Sequence, residues 1–138
     1  MKVLIDTNVI IDILEHREPF YDDSYKVLQL GLEGEIETIM SAGDITNVYY
    51  IIKKNIHDSI LAREKIFIIS SMVKICNSTP EDILNASILF MPDFEDAVIA
   101  SAAKREKADY IITRNEENFI NSPVPALNPS KFIKMLKN

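Results

Sequence analysis

The chain has 138 residues, of which 47% are hydrophobic and 26% are charged, as is typical of a soluble globular domain. Its net charge of −6 excludes a general electrostatic attraction to nucleic acid, so such a contact would need a local basic rim or a bound cation. The sequence contains no apolar run of the ~20 residues that a membrane span requires, no signal-peptide pattern, and a single cysteine. We therefore expect one domain over residues 1–138, located in the cytoplasm and not associated with membranes.

Short apolar runs alternate along the chain with segments of helical periodicity. The runs predict strands over Lys2–Ile5, Glu37–Met40, Val73–Ile75, Tyr110–Thr113 and Val124–Ala126. The periodic segments predict helices over Val9–Leu14, Phe20–Gly31, Ala42–Lys54, Asp58–Met72, Glu81–Leu89, Asp93–Glu106 and Ser130–Leu136. This alternation predicts an α/β fold of three layers, in which a central parallel sheet of four to five strands lies between helices.

Acidic residues lie at the end of the first predicted strand and at the start of a late predicted helix. Asp6 follows the apolar run Val3-Leu4-Ile5, and ligands of open α/β sheets bind at the carboxyl ends of strands. Asp93 and Asp96 begin a helix and are three residues apart, so they face the same side. Helix capping explains each carboxylate when it is taken alone, with Asp93 as the cap and Asp96 bonding back to it. Together the carboxylates indicate a cation site, because clustered carboxylates repel one another and attract Mg²⁺ or Mn²⁺.

Four segments in this order resemble the PIN domains, a nuclease superfamily that includes the VapC toxins of bacterial toxin–antitoxin pairs. They are Val3-Leu4-Ile5-Asp6-Thr7-Asn8, Ile39-Met40-Ser41-Ala42, Asp93-Phe94-Glu95-Asp96-Ala97 and Ile111-Ile112-Thr113-Arg114-Asn115-Glu116-Glu117-Asn118-Phe119. The resemblance covers the whole chain. It implies a PIN-like fold and an Mg²⁺- or Mn²⁺-dependent endoribonuclease that hydrolyses RNA phosphodiester bonds with metal assistance. An antitoxin protein would be the partner of such a toxin.

The resemblance also implies the members of the site. Asp6 and Asp96 match family acids, and Asp93 lies a turn away. The family's second acid falls at Asn47, although Asp44 lies one turn earlier, and the last acid falls at Asn115 or Asn118. The following list gives the implied roles: catalytic Asp6, Asp96, Asp93 and Asn47; metal ligands Asp6, Asp96, Asp93 and Asn118; orienting residues Thr7, Asn8, Asp44, Thr113, Asn115 and Glu117; and RNA-phosphate contacts Arg17, Lys53, Lys54 and Arg114.

Two departures from the family pattern keep a second function open. Asparagine can coordinate a hard cation through its carbonyl oxygen but brings no charge, so Asn47 and Asn118 would weaken metal binding. The alternative is a catalytically weak or inactive PIN domain that acts as an RNA-binding or protein-interaction module. A phosphatase of another α/β fold is disfavoured, because its usual second aspartate would be Asn8 and no glycine-rich phosphate loop is present.

Two consecutive helices between the second and third strands predict a helical arm over residues 42–72. An aromatic stripe is more often core than a base-stacking surface, so we expect Tyr49, Tyr50 and Phe67 to pack in this arm. The arm nevertheless holds more apolar side chains than two helices on a sheet edge can easily bury. The excess predicts an exposed patch and a homodimer, unless residues 56–69 fold back and cover it.

Overall fold

Parallel strand pairing organises the protein, whose computed structural model describes residues 1–138. One sheet contains all five strands, in the spatial order β3-β2-β1-β4-β5, and every neighbouring pair is parallel. The strands are β1 (Lys2–Ile5), β2 (Glu37–Ser41), β3 (Lys74–Cys76), β4 (Tyr110–Ile112) and β5 (Ala126–Leu127). The predicted central parallel sheet is thus confirmed.

Seven helices flank the sheet. They are α1 (Thr7–Leu14), α2 (Tyr21–Leu32), α3 (Ala42–Ile56), α4 (Ser59–Met72), α5 (Pro80–Ala86), α6 (Phe94–Arg105) and α7 (Pro129–Lys137), and a short 3₁₀ helix spans Glu116–Phe119. None of them combines the length and apolar character that crossing a lipid bilayer requires.

Two predicted boundaries were displaced for local reasons. Helix α5 ends at Ala86, because the next backbone bonds, from Ile88 to Asn85 and from Leu89 to Ala86, span only three residues. Strand β5 starts at Ala126 rather than Val124, because Pro125 has no N–H to give to the sheet and only accepts a bond from Ile111.

Side chains of the central strand point alternately into two apolar layers, which makes the three-layer arrangement. Val3 and Ile5 pack with residues of α1, α2, α3, α4 and α7. Leu4 faces the opposite side and packs against α6, whose small residues Ala100 and Ala103 are fully buried and allow a close approach to the sheet. Helix α6 therefore lies alone against the centre of its face, with its first residues at the carboxyl edge of the strands.

The helical arm forms as α3 and α4, but its aromatic residues do not pack as predicted. Tyr50 is 62% exposed and Phe67 is 78% exposed. The expectation that both are core residues was wrong, because each lies on the helix face that no neighbouring element covers. Tyr49 is partly buried against the core.

Candidate active site

The candidate site lies where the order of strands reverses. Strands β1 and β4 are neighbours, although most of the chain separates them, and open α/β sheets bind ligands at such a switch point. Asp6 directly follows β1 and Thr113 directly follows β4. Both are buried, with exposures of 5% and 0%.

Asp6 is the N-cap of α1 and has no cationic partner. One carboxylate oxygen, Oδ1, accepts the backbone N–H of Thr7 at 2.7 Å, and the other, Oδ2, accepts the hydroxyl of Thr113 at 2.7 Å. Burial and, to a smaller extent, the negative charge of Asp44 raise the pKa of Asp6 to about 6, although the two hydrogen bonds and the positive charge of Arg114 oppose the shift. The fold thus buries the Asp6 carboxylate without giving it an ion-pair partner.

Thr113 has its hydroxyl proton directed at Asp6. Its Oγ1 accepts the Asn8 side-chain amide at 3.3 Å and the backbone N–H of Asn115 at 3.1 Å. With two donors on the oxygen, the hydroxyl hydrogen is left to point at Asp6. The carbonyl oxygen of the Asn8 side chain accepts the backbone N–H of Arg114 at 3.3 Å, which ties the end of β4 to α1.

Asp44 enters from the first turn of α3. The hydroxyl of Ser41, at the end of β2, donates to Asp44 Oδ2 at 2.8 Å, which holds the carboxylate at the sheet edge. Burial, together with the charges of Glu95 and Asp96, raises the pKa of Asp44 to about 6, although the hydrogen bond from Ser41 opposes the shift. Asp44 is therefore part of the acidic cluster.

Asp96 enters from the opposite layer, at the start of α6. Asp93 is the N-cap of this helix and accepts the backbone N–H of Asp96 at 3.0 Å, so the capping interpretation of Asp93 holds. The return bond from Asp96 does not form. The pKa of Asp96 is raised to about 6 by burial and by the charges of Asp6 and Asp93, whereas hydrogen bonding with the Asn118 side chain lowers it.

Three carboxylates from three elements, Asp6, Asp44 and Asp96, thus raise one another's pKa at one edge; we call them the acidic edge. Their oxygen donors are of the kind that a hard divalent cation prefers, and Arg114, the one cation that lowers the pKa of Asp6, is itself paired with Asp12. No group of three or more His, Cys, Asp or Glu side chains is arranged to hold a metal ion by itself. A cation here would need further oxygen ligands, such as the amide of Asn118.

Comparison with known proteins identifies the family. The family model for the PIN domain matches residues 2–117. The chain belongs to the PIN domain family. It is 26% identical, over 136 residues, to Ribonuclease VapC1 of Aquifex aeolicus (strain VF5), and this match covers 95% of the chain and 92% of the relative.

Solved structures share the PIN fold. VapBC2 from Rickettsia felis, bound to a DNA fragment from its promoter, matches with a TM-score of 0.75 and 20% identity, covering 93% of this chain and 98% of the other. A toxin–antitoxin complex from Klebsiella pneumoniae matches with a TM-score of 0.66 and 20% identity, covering 92% and 97%.

The remaining predicted residues of this PIN domain differ in their proximity to the acidic edge. Asn47 lies on α3 one turn after Asp44, is half-buried and makes no side-chain hydrogen bond. Asn115 and Glu117 are exposed. The neighbouring Glu116 is occupied by Asn128 at 2.8 Å and by Lys131 at 3.2 Å, so Glu117 is the acid of this segment that remains unpaired.

Two of the four predicted phosphate contacts are already paired with carboxylates. Arg17 bonds to Glu15 at 2.9 Å. Arg114 bonds through two nitrogens to Asp12 and lies over the ring of Phe20, 4.2 Å from its centroid. Lys53 and Lys54 are exposed on α3 and form no ion pair.

Asp12 is the residue that the sequence interpretation missed. It is fully buried in α1 and holds Arg114, and through it the end of β4 that carries Thr113. A signal was available, since Asp12 interrupts the apolar run Val9-Ile10-Ile11 and Ile13-Leu14. A buried charge in such a run requires a partner.

Proposed function

We propose that this PIN domain is an endoribonuclease that depends on Mg²⁺ or Mn²⁺, hydrolyses RNA phosphodiester bonds, and is the toxin of a toxin–antitoxin pair. The observation that carries the proposal is the acidic edge, whose three carboxylates have raised pKa values, affect one another's pKa and form no ion pair with a basic side chain. The ribonuclease name of the Aquifex relative supports the reaction class.

The residues divide the work by position. Asp6 and Asp96, with Asp93 and Asn118 beside Asp96, would hold the cation. When bound, a divalent cation supplies Lewis acidity toward the scissile phosphate. Thr113 fixes the orientation of Asp6 by donating to Oδ2.

Asp44 has a role of its own at the acidic edge. Ser41 occupies its Oδ2, which leaves Oδ1 free to accept a proton from an attacking water. Asn47, one turn further along α3, brings an amide where the family carries an acid. Its half-buried side chain would orient substrate or water rather than carry charge.

A second candidate is a catalytically weak or inactive PIN domain that binds RNA or a protein. The observation that favours it is the amide Asn118 beside Asp96, together with the lack of a complete acidic metal centre. A site of this kind binds Mg²⁺ weakly, because fewer charges offset the cost of dehydrating the ion.

An RNA cleavage assay separates the two candidates. A labelled single-stranded RNA is incubated with the purified protein in Mn²⁺, in Mg²⁺ or in EDTA. The nuclease proposal expects cleavage that requires the cation, is faster in Mn²⁺, and is lost in Asp44→Asn and Asp96→Asn. Binding of RNA without cleavage under every cation condition would establish the second candidate instead.

We propose an antitoxin as the protein partner. The toxin would be a single domain, and both proteins would be located in the cytoplasm. Support comes from the structural relatives, which include a toxin–antitoxin complex from Klebsiella pneumoniae. Co-expression with the product of the adjacent gene provides the test. The proposal expects a stable complex that blocks cleavage, and a co-purified protein with no effect on cleavage would contradict it.

A homodimer is proposed from the outer face of the arm. Ile60, Phe67 and Ile68 on α4 are 73%, 78% and 52% exposed, so the arm does not fold back over its apolar surplus. Light scattering at micromolar concentration is expected to give twice the monomer mass, and Phe67→Glu is expected to halve it. A monomeric mass for the unmodified protein would rule the dimer out.

A further inference from the structure

A basic and aromatic groove begins beside the acidic edge and runs along the arm. A concave surface of about 500 Å³ lies between α3 and α4 and starts at Ile45, the residue after Asp44. Its walls include Tyr49, Tyr50, Lys53 and Arg63. A second concavity of about 500 Å³ shares Tyr50 and Lys53 and adds Lys54 and His57. We call the continuous surface the arm groove.

The positive charges of the arm groove are not explained by the fold. Of the four arginines, Arg17, Arg105 and Arg114 are each paired with a carboxylate, and Arg63 forms no ion pair and no hydrogen bond. Lys53 lies in the last turn of α3, where a helix dipole favours a cation whatever its other role. That account fails for Arg63, which lies in the second turn of α4. Four groups able to carry positive charge therefore face one groove of a protein whose net charge is −6.

An exposed aromatic ring stands among these charges. Tyr50 is 62% exposed, and its ring meets the edge of Tyr49 at a centroid distance of 5.2 Å and an interplanar angle of 78°. Tyr49 is half-buried against the core, so its contact holds the Tyr50 ring in position. A ring held from below, with open space above and cations beside it, is the arrangement on which an unpaired nucleobase stacks.

We infer that the arm groove binds single-stranded RNA and leads it to the acidic edge, with Arg63, Lys53 and Lys54 contacting phosphates and Tyr50 stacking on a base. This inference rests on the proposed function, whose substrate class it narrows. Base faces are accessible only in unpaired nucleotides, so a duplex would lose the contact with Tyr50. Charge complementarity favours a polyanion here. The groove runs along α3, the helix whose first turn carries Asp44 and whose later turns carry Tyr49, Tyr50 and Lys53, so one strand following α3 would reach the end that bears Asp44.

Binding is measured separately from cleavage, so that the inference and the proposed function can fail independently. The full-length Asp6→Asn variant, in EDTA, is titrated into a fluorescein-labelled single-stranded 12-nucleotide RNA and into the matching duplex, with anisotropy as the readout. In this background Arg63→Ala and Tyr50→Ala are compared with Tyr50→Phe, which keeps the ring, and with Lys134→Ala, which removes an exposed cation of α7.

The expected result is roughly a 10-fold loss of affinity in Tyr50→Ala and little change in Tyr50→Phe, because stacking on one aromatic ring is worth about that much. Arg63→Ala is expected to weaken binding. It is also expected to reduce the slope of log affinity against log salt concentration by about 0.7, the value for one lost phosphate contact, while Lys134→Ala leaves affinity and slope unchanged. The duplex is expected to bind more weakly and to be insensitive to Tyr50→Ala.

Three outcomes would overturn the inference. Unchanged RNA affinity in both Tyr50→Ala and Arg63→Ala would remove the groove from the RNA path, even if metal-dependent cleavage persists. Equal binding of duplex and single strand would remove the stacking contact. Loss of antitoxin binding in these variants, with RNA affinity intact, would assign the groove to a protein partner.

Discussion

Two buried aspartates of this protein have pKa values shifted in opposite directions. Asp82 is 1% exposed, and Arg105 donates to both of its oxygens, from Nε at 2.8 Å and from Nη2 at 3.0 Å. Burial alone would raise the pKa of Asp82, but bonds from Arg105 and Thr79 hold it below its usual range. Asp6 is 5% exposed, has no such partner, and has a pKa raised to about 6.

The difference shows where the fold supplies a counter-charge and where it withholds one. Arg105 closes the structural site at Asp82, and Arg114 does the same at Asp12. At the acidic edge no basic side chain forms an ion pair with a carboxylate, and a divalent cation is the simplest group that would supply the missing charge. Asp82 thus contributes to stability, whereas Asp6 is the residue that we propose as a cation ligand.

The largest expected effect is on cleavage. Asp6→Asn should reduce metal-dependent cleavage by more than about 100-fold, because even residues that only support a metal ligand commonly cost 10–100-fold. Its stability should change little or rise, since like-charge repulsion is relieved. Asp22→Asn, an exposed change on α2, is the control for charge. Full cleavage by Asp6→Asn would reject the assignment.

Replacing Asp82 should give the reverse pattern. Asp82→Asn should lower the free energy of unfolding by on the order of 2 kcal/mol, because Arg105, whose side chain is only 23% exposed, loses its bidentate partner and keeps only Glu106 and the carbonyl of Asn77. Cleavage by the fraction that stays folded should persist. Chemical denaturation of this variant beside Asp6→Asn checks the contrast, and equal stability of the two variants would remove it.

The pH dependence of stability should differ with and without a divalent cation. Without a divalent cation, each acid of the acidic edge binds its proton more tightly in the folded protein, where its pKa is about 6, than in the unfolded chain, where its pKa is 3.8. Stability that is present below about pH 4 is then lost as the pH rises through 6, and the free energy of unfolding should fall by on the order of 1–3 kcal/mol from pH 5 to 7.5.

Mn²⁺ should offset that loss at pH 7.5, where the carboxylates are ionised and free to bind it. Denaturant unfolding in EDTA and in Mn²⁺ at the two pH values provides the measurement. Stability in EDTA that rises steadily between pH 5 and 7.5 would contradict the shifted pKa values.

The smallest effect concerns the amides. Asn118→Asp and Asn47→Glu should each strengthen cation binding several-fold, because each returns a negative charge near the acidic edge. Calorimetric titration with Mn²⁺ and Mg²⁺ measures this. Tight Mg²⁺ binding by the unmodified chain, insensitive to either change, would mean that Asp44, Asp93 or Glu117 already completes the site.

The sheet and its first acid follow from the sequence because local patterns determine both. An apolar run that ends in an aspartate is sufficient to place Asp6 at a strand end. Which of Asp44 and Asn47 faces the acidic edge could not be read from local sequence, since it depends on how α3 is rotated against the sheet. The ion pair of Arg114 with Asp12 was not predicted either, because 102 residues separate the two in the sequence.

Exposure along the arm was the other failure, and it has the same origin. Helical periodicity predicts α3 and α4 but not which of their faces a neighbour covers. Tyr50 and Phe67 were therefore assigned to the core, whereas the structure leaves both outside.

Crystals of the protein soaked in Mn²⁺, with diffraction recorded at a wavelength that gives manganese an anomalous signal, test the central claim most directly. The account predicts one strong anomalous peak at the acidic edge, in contact with the carboxylates of Asp6 and Asp96, and no peak at Asp82. A soak that leaves Asp6 and Asp96 without manganese, while the ion binds elsewhere on the protein, would contradict it.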